Sequence, residues 1–308
     1  RAQGGSTFKP FALLAHIEQG GTLWDTFKSY SPMDISGIEI QNFDGSNRGT
    51  INLATATAYS VNTVYVQLNQ EVGPAATREV AVRAGLPDGP ADGETATAGQ
   101  TPGLDDALTN VLGSASPHPI DMLRAYSTFA NRGVKHDIYI GKEVYDADGK
   151  LIYSGENDGE KVFEQDDVGT LNYALQGTSA TGATAETAGL LGRPVAGKTG
   201  TSSGPWSAWY IGYIPQMVTA VDMYQIGENG EEEVLTPFGE YWYGIGGGSF
   251  PAEVWLAYMQ KATEGMEVED FADLPDSAGV PQSDPVTVAP VEEEPEPQVT
   301  VSEAPATE

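Results

Sequence analysis

The segment GRPVAGKTGT, from Gly192 to Thr201, decides between two classes of fold. It matches the pattern G-x-x-x-x-G-K-[ST], a glycine-rich loop that binds the phosphates of a nucleotide. Such a loop has to follow a strand and open a helix, because the helix N-terminus supplies N–H groups and positive potential. The upstream segment SATGATAETAGLLG makes a poor buried strand, and the downstream segment GTSSGPWSAWY has glycines and a proline where the helix should run. The flanks therefore disfavour a phosphate loop and leave Lys198 for a different chemistry.

A second segment bears on the nucleotide hypothesis. VTAVD, from Val218 to Asp222, resembles an apolar strand ending in an acid that would hold Mg²⁺. An acidic residue at a strand end with no ligand is the simpler interpretation. We therefore set the nucleotide hypothesis aside.

The segment STFK near the start of the chain pairs a hydroxyl with an amine. Ser6 and Lys9 are three residues apart, so at the start of a helix their side chains share a face and can touch. This spacing suits a serine nucleophile beside an amine that takes its proton. A lysine acts as a base only when neutral, so we expect burial or nearby positive charge to lower the pKa of Lys9.

Two further segments complete a set of three. SVN, from Ser60 to Asn62, offers a second hydroxyl that could relay a proton and an amide that could bind an amide substrate. The third is Lys198-Thr199-Gly200. Each short motif is a weak signal by itself, but S-x-x-K, S-x-N and K-T-G in this order form an informative set.

Composition excludes several classes of function. The formal net charge of −29 argues against nucleic acid or an anionic membrane surface as a partner, since both bind clustered Lys and Arg. Cysteine is absent, which excludes disulfides, thiol catalysis and cysteine-ligated metals. The three histidines are scattered without ligand spacing, so we expect no metal site built on them.

The order of predicted elements indicates an α+β domain. Helices are predicted in FKPFALLAHIEQGG, in two pieces of INLATATAYSVNTVYVQLNQEVG, in PAATREVAVRAG and in HPIDMLRAYSTFANRG. After Lys198, the segments SAWYIGYIP and MVTAVDMYQI read as strands, and a last helix begins at Pro251. We place one domain at residues 1–275. Residues 276–308 are assigned to an acidic tail rich in Pro and Glu that we expect to be disordered.

Five blocks carry a resemblance to a known family. In order, GGSTFKPFALLAHIEQG, SVNTVYVQL, LGSASPHPIDMLRAYSTFANRG, AGKTGTSSGPWSAWYIGYIPQMVTAV and GGGSFPAEVWLAYM resemble the transpeptidase domain of class A (bifunctional) penicillin-binding proteins. The resemblance covers most of residues 1 to about 260. It implies the penicillin-binding protein and serine β-lactamase-like fold, an antiparallel sheet packed between helices. Relatives carry a membrane anchor and a glycosyltransferase domain upstream, so it also implies an extracytoplasmic location with the anchor outside this chain.

The resemblance also implies roles for the three motifs. Ser6 would attack the penultimate D-Ala of a peptidoglycan stem peptide ending in D-Ala-D-Ala, and Lys9 would be its general base. Ser60 would pass a proton to the departing D-Ala, and Asn62 would hold the amide of the stem. The reaction that the resemblance implies needs no metal and no cofactor. The lysine motif, with Thr201, would bind the terminal carboxylate; its residues are Lys198, Thr199 and Gly200. β-Lactams would acylate the same serine.

Some features of the oxyanion hole and of the strand follow from the same resemblance. The backbone N–H groups of Ser6 and Thr201 would form the oxyanion hole. Gly197 and Gly200 would allow the backbone of the substrate to lie close against the strand, a form of strand addition.

Three alternatives stay open on the sequence. A serine β-lactamase shares the fold and motifs, a D-Ala-D-Ala carboxypeptidase uses water as acceptor, and a non-catalytic domain could bind wall or sense β-lactams. In the family, strands that complete the central sheet precede the nucleophile, and this chain begins five residues before Ser6. We therefore expect an exposed sheet edge, and poor stability and weak activity of residues 1–308 alone.

Overall fold

The structure is a computed structural model that describes residues 1–91, 93–155, 158–230, 232–242 and 244–279. Most of the predicted tail, residues 280–308, lies outside the described residues. The first part of that segment is described: Asp276–Ala278 forms a 3₁₀ turn, and Ala278 is 6% exposed. Packing therefore continues at least as far as Ala278.

The described residues contain helices of four to thirteen residues. In chain order the α-helices are α1 Lys9–Glu18, α2 Leu53–Ala58, α3 Asn62–Val72, α4 Pro74–Ala84, α5 Pro119–Ala130, α6 Gln165–Gln176, α7 Glu186–Gly189 and α8 Phe250–Ala262. Four further 3₁₀ turns are Gly5–Phe8, Asn110–Leu112, Gly177–Ser179 and Gly239–Tyr241.

Strands form one larger sheet and several two-stranded ones. In chain order they are β1 Thr26–Lys28, β2 Met33–Ile35, β3 Ile38–Ile40, β4 Thr50–Asn52, β5 Val134–Lys135, β6 Glu143–Tyr145, β7 Leu151–Ser154, β8 Glu160–Lys161, β9 Ala196–Thr201, β10 Ser207–Ile214, β11 Met217–Ile226 and β12 Glu232–Glu233. The larger sheet has the order β12-β11-β10-β9, and its pairs are antiparallel. The small sheets pair β1 with β4, β2 with β3, β5 with β8, and β6 with β7.

The α1 helix is the centre of the core. Its sequence KPFALLAHIE is apolar on all sides except at Lys9, His16 and Glu18, and every residue except Glu18 is buried. A helix that is hydrophobic all round has to be enclosed. Accordingly, α1 packs against α3, α4 and α6. This enclosure buries the lysine at the start of α1.

Helices cover both faces of the larger sheet. On one face α5 and α6 contact the strands, and Trp209, Ile211 and Tyr213 of β10 join the same core cluster as α1. On the other face α8 packs on β10 and β11, with Tyr210 and Trp255 meeting edge to face at 5.2 Å. The predicted α+β fold with an antiparallel sheet between helices is confirmed.

The outer edge of β11 is largely unpaired. β12 pairs with β11 only at Gln225 and Ile226. Within the described part of the chain, no other strand pairs with that edge. An unpaired strand edge agrees with the expectation from the sequence, but eight of the ten residues of β11 are half-buried and only Tyr224 and Ile226 are exposed. Among the described residues, no helix is both long enough and apolar enough to span a membrane.

The structure also answers the phosphate-loop question. Lys198 lies inside β9 and not in a loop that opens a helix, and the chain continues from β9 through a turn into β10. Asp222 lies within β11, paired with Trp209, and not at the end of the strand. The rejection of a nucleotide site on the basis of the flanks is confirmed.

Candidate active site

The turn that carries Ser6 is held between two other backbone segments. Gly5 adopts φ +55°, and a Cβ there would lie 2.8 Å from the backbone nitrogen of Thr201. On the other side the N–H of Gly5 donates to the carbonyl of Gly113 at 3.0 Å, and a Cβ on Gly113 would lie 1.9 Å from the Gly5 oxygen. Only glycine combines this φ with such close backbone contact. The turn is therefore docked against β9, with Ser6 half-buried at its surface.

The glycines of β9 serve the same close packing. A Cβ on Gly200 would lie 2.4 Å from the carbonyl oxygen of Gly4, and one on Gly197 would lie 2.7 Å from the carbonyl oxygen of Ile211. The sequence-based expectation was that these glycines leave room for the backbone of a substrate. The space on the Cβ side is occupied by the protein itself, and room for a substrate backbone along the strand stays a prediction. Gly200 thus allows β9 to approach the turn that carries Ser6.

Lys9 lies at the first position of α1 with its amine enclosed. Its side chain is 0% exposed, and Nζ donates to the Ser60 carbonyl at 2.5 Å, to Ser60 Oγ at 3.1 Å and to Asn62 Oδ1 at 2.7 Å. Burial lowers the pKa of Lys9 well below the ordinary lysine value, and the positive charge of Lys198 lowers it further. Both causes that were expected from the sequence are present.

Ser60 is positioned by an unusual backbone conformation between α2 and α3. Its φ is +55°, in the left-handed region that residues other than glycine seldom adopt. This conformation turns both the carbonyl and the hydroxyl of Ser60 toward Lys9. A left-handed serine costs about 1 kcal/mol or more, so the surrounding contacts must hold it in place.

Lys198 approaches Ser60 from the sheet. Its Nζ donates to Ser60 Oγ at 2.7 Å and to the carbonyl of Thr199 at 3.1 Å. The side chain is 0% exposed, and burial lowers the pKa of Lys198 to about 7. One serine hydroxyl therefore lies between two buried amines whose pKa values are both lowered.

An open pocket lies beside this group. It is lined by Ser6, Phe43, Asn62, Leu112, Thr199, Thr201 and Ser203. Four of these are residues that the sequence motifs singled out. Lys9 and Lys198 are not among the lining residues, but each donates to one that is, Lys9 to Asn62 and Lys198 to the carbonyl of Thr199.

Two expected contacts differ from the prediction. Within the part of the chain that the structure describes, Ser6 Oγ has no hydrogen-bond partner, and the three acceptors of Lys9 Nζ lie on Ser60 and Asn62. The second contact concerns Thr201, whose hydroxyl was expected to meet the substrate carboxylate. Its Oγ1 accepts a hydrogen bond from the N–H of Gly247 at 3.1 Å. The nucleophile and its expected base are therefore near each other on one helix start but are not hydrogen-bonded.

Several residues of the site escaped the sequence analysis. Phe43 follows β3 and is 80% exposed at the pocket. Gly247 packs on β9, where a Cβ would lie 2.7 Å from the carbonyl oxygen of Gly200. The segment GGGSFPAEVWLAYM, quoted for its resemblance, contains Gly247, so its glycine run was the available signal. No local pattern marks Phe43 as a pocket residue.

The described residues contain no group of three or more His, Cys, Asp or Glu side chains that could hold a metal. His16 contacts the Asp25 carboxylate at 2.9 Å, which ties α1 to the segment that follows it. Among the described residues the two carboxylate oxygens of Asp222 are buried without a hydrogen-bond partner, and burial raises the pKa of this carboxyl to about 7. These groups are separate from the pocket.

Comparison with known proteins agrees with the geometry. Residues 1–237 match the penicillin-binding protein transpeptidase domain. Penicillin-binding protein 1A of Mycolicibacterium smegmatis is 33% identical over 96% of this chain, and penicillin-binding protein 1A of Mycobacterium tuberculosis is 31% identical over 91%. The chain spans 39% and 35% of the lengths of these two relatives.

A solved structure shares the fold. The PonA1 protein of Mycobacterium tuberculosis in complex with penicillin V superposes with a TM-score of 0.72 at 27% identity, covering 91% of this chain and 74% of that one. The resemblance stated from the motifs is confirmed by the matched domain and by these relatives. The chain belongs to the penicillin-binding protein transpeptidase family.

Proposed function

We propose that the chain is a serine D,D-transpeptidase that crosslinks peptidoglycan stem peptides ending in D-Ala-D-Ala. The observation that carries the proposal is the hydroxyl of Ser60, which lies 3.1 Å from Lys9 Nζ and 2.7 Å from Lys198 Nζ. Two buried amines on one hydroxyl form a path for a proton that starts beside the nucleophile. A domain that only binds the cell wall has no need of such a path.

In the first step, Ser6 Oγ bonds to the carbonyl carbon of the penultimate D-Ala. The hydroxyl proton passes to Lys9 in its neutral form, which donates to two of the three oxygens around Nζ and keeps a lone pair for the proton. Burial and Lys198 favour this form because they lower the pKa of Lys9. The N–H groups of Ser6 and Thr201 would stabilise the oxyanion, and one such donor typically contributes about 3 kcal/mol. The close contact of the Ser6 turn with Thr201 supports this pairing.

The leaving group departs in the same half-reaction. The bond from the carbonyl carbon to the nitrogen of the terminal D-Ala breaks, and this nitrogen needs a proton. The proton on Lys9 would reach it through Ser60 Oγ, which accepts from both lysines. Free D-Ala leaves, and the stem stays bound to Ser6 as an ester.

The substrate carboxylate would be bound at β9. Thr199 and Thr201 line the pocket, whereas Lys198 is fully buried and is not among the lining residues. We infer that the threonines contact the carboxylate directly and that Lys198 contributes charge from behind. Asn62 lines the pocket and would hold an amide of the stem. The required partner is a peptide with a free C-terminal carboxylate, and no metal or cofactor takes part.

The second half-reaction resolves the ester. The amine of a neighbouring stem would attack the acyl carbon, its proton would return through the same residues, and Ser6 would be released. Attack by water would give a carboxypeptidase instead. Since the substrate is cell-wall material, we place this activity on the extracytoplasmic face of the bacterial membrane.

β-Lactams would acylate the same serine. PonA1 of Mycobacterium tuberculosis, which has the same fold, is solved in complex with penicillin V. A β-lactam carries an amide carbonyl and a carboxylate, the two groups that Ser6 and β9 would bind. The ring nitrogen is the leaving group, and it stays tethered to the acyl-enzyme.

A labelled penicillin tests the proposal on the protein as expressed from its own gene. We expect a stable covalent adduct that Ser6→Ala abolishes. Ser127→Ala, which removes a hydroxyl bonded only within α5, should label like the wild type. Rapid release of the label would favour a β-lactamase, and a folded protein that takes no label would favour a non-catalytic domain. Stem pentapeptide with and without an added amine then separates transpeptidation from hydrolysis.

A further inference from the structure

Asn42 is a buried side chain whose hydrogen-bonding capacity is fully used. It follows β3 and is 6% exposed. Its Nδ2 donates to the carbonyls of Ser29 at 3.0 Å and Ser46 at 2.9 Å. Its Oδ1 accepts from the backbone N–H of Thr63 at 3.0 Å and from Thr63 Oγ1 at 3.2 Å. An amide offers two donors and two acceptor positions, so each of them has a partner.

These bonds tie the loop after β3 to the start of α3. Thr63 is the second residue of α3, directly after Asn62. The first N–H groups of a helix lack partners within the helix, and Asn42 supplies one from outside. The loop and the helix start are thereby held as one unit.

The unit fixes the amide of Asn62. Asn62 Nδ2 donates to the carbonyl of Gln41 at 2.8 Å, and Asn62 Oδ1 accepts from Lys9 Nζ at 2.7 Å. The two ends of an amide differ, so holding Nδ2 at Gln41 leaves Oδ1 to face the lysine. Gln41 immediately precedes Asn42, and its position depends on the anchored loop.

The other neighbour of Asn42 forms part of the pocket. Phe43 is 80% exposed and lines the pocket together with Leu112. Asn42 is therefore flanked in the chain by Gln41, whose carbonyl accepts from Asn62, and by Phe43, which lines the pocket. We propose that Asn42 is a positioning residue of the active site, which through Gln41 and Thr63 orients the amide of Asn62 toward Lys9. The expected effect of Asn42 on the acylation rate rests on the proposed function, whereas its effect on the orientation of the Asn62 amide does not.

A double-mutant cycle on penicillin acylation tests the coupling. We expect Asn42→Ala and Asn62→Ala each to lower the second-order rate constant at least 10-fold. If Asn42 acts through Asn62, the double variant loses no more than Asn62→Ala alone. Independent, multiplying losses would overturn the proposal, because they would mean that Asn42 only supports the fold.

A matched control separates positioning from loss of stability. Asn172 is also buried, with Nδ2 donating to the Phe129 carbonyl at 3.1 Å and Oδ1 accepting from Tyr213 Oη at 2.6 Å. Asn172→Ala should lower the melting temperature but leave the acylation rate within 2-fold at temperatures where it is folded. If Asn42→Ala does not fold, Asn42→Asp keeps the size and the acceptor for Thr63 and takes its place in the cycle.

A second readout does not depend on activity. In a crystal structure of the folded Asn42 variant, we expect the Asn62 amide to have left the carbonyl of Gln41 or to have rotated away from Lys9. An unchanged Asn62 would overturn the inference. A wild type that takes no penicillin would count against the proposed function, and the variant structure would still decide the role of Asn42.

Discussion

Replacing Lys198 with methionine, which has a similar length and no charge, is expected to stabilise the fold at and below neutral pH while leaving only a small residual rate of acylation. Burial lowers the pKa of Lys198 from 10.5 to about 7. One pKa unit corresponds to about 1.4 kcal/mol, so at pH values below the lowered pKa burial costs about 5 kcal/mol. Replacing a buried charged group with an apolar group of the same size often leaves the free energy of unfolding unchanged or increases it.

The sign of the pH dependence follows from proton binding. Between pH 7 and pH 10.5 the unfolded chain keeps a proton that folded Lys198 has lost. The free energy of unfolding of the wild type therefore rises with pH across this window. The methionine variant lacks this contribution, so its advantage is greatest below pH 7 and disappears toward pH 10.5.

The expected net effect is smaller than the full cost of burial. The variant also removes two buried hydrogen bonds of Lys198 Nζ, one to the carbonyl of Thr199 and one to Ser60 Oγ, which keeps Lys9 as a donor. Together these losses cost about 1–3 kcal/mol. We therefore expect a stabilisation of about 2–4 kcal/mol at pH 6. Urea unfolding followed by circular dichroism at pH 6, 8 and 10 measures it.

The control is an exposed lysine. The side chain of Lys261 is 79% exposed, so Lys261→Met should change the free energy of unfolding by less than about 0.5 kcal/mol at every pH. A Lys198→Met variant that is less stable than the wild type at pH 6 would refute the reasoning. So would a stability difference that does not change with pH.

Other consequences of the site can be measured separately. The acylation rate of the wild type should rise with pH as Lys9 loses its proton, with a midpoint well below 10.5. The residual acylation rate of Lys198→Met should have its midpoint at a higher pH, because the positive neighbour that lowers the pKa of Lys9 is gone. A midpoint at a lower pH in this variant would contradict the prediction. Gly200→Ala, whose Cβ would lie 2.4 Å from the Gly4 oxygen, should lower acylation at least 10-fold and stability by about 1–3 kcal/mol. Gly99→Ala is its control, because a Cβ there would meet no atom within 4 Å. Equal effects of the two substitutions would contradict the argument that Gly200 is required for close packing. Tyr210→Phe removes a buried hydroxyl that has no hydrogen-bond partner among the described residues, so thermal unfolding should show an unchanged or raised melting temperature. A loss of stability above about 1 kcal/mol would contradict this expectation.

Much of the site was predictable because its motifs are local. S-x-x-K at a helix start, S-x-N at a helix junction and K-T-G in a strand each specify side chains within a few residues. The structure places Lys9, Ser60, Asn62 and Lys198 in one hydrogen-bonded group. The helices α1, α3, α4, α5 and α8 and the strands β10 and β11 also agree with their patterns, because their caps and periodicity are strong.

The rest depends on contacts between distant parts of the chain. The packing of Gly5 between Gly113 and Thr201 cannot be deduced from any one segment, because glycine has many local roles. Asn42 resembles an ordinary turn residue until its partners are known. The α6 helix was not predicted. Gly169 within it has a low helix propensity, but the burial of Val168, Leu171 and Leu175 outweighs this unfavourable contribution.

The two-stranded sheets could not be predicted from the sequence either. The strands of the β6–β7 hairpin are three and four residues long, and all of their residues are exposed, so they lack the alternation that marks a half-buried strand. The pairing of β1 with β4 joins strands of three residues each across an intervening hairpin. Tertiary context and not local sequence determines such pairings.

The most direct test of the central claim is to locate the penicillin adduct. After reaction with penicillin, digestion and mass spectrometry should find the added mass on the peptide that contains Ser6 and on no other serine peptide. The adduct should be absent from Ser6→Ala and should form more slowly in Lys9→Met, which removes the base but keeps the length of the side chain. An adduct on Ser60 or on any other residue, or labelling of Ser6→Ala at the wild-type rate, would contradict the assignment of Ser6 as the nucleophile.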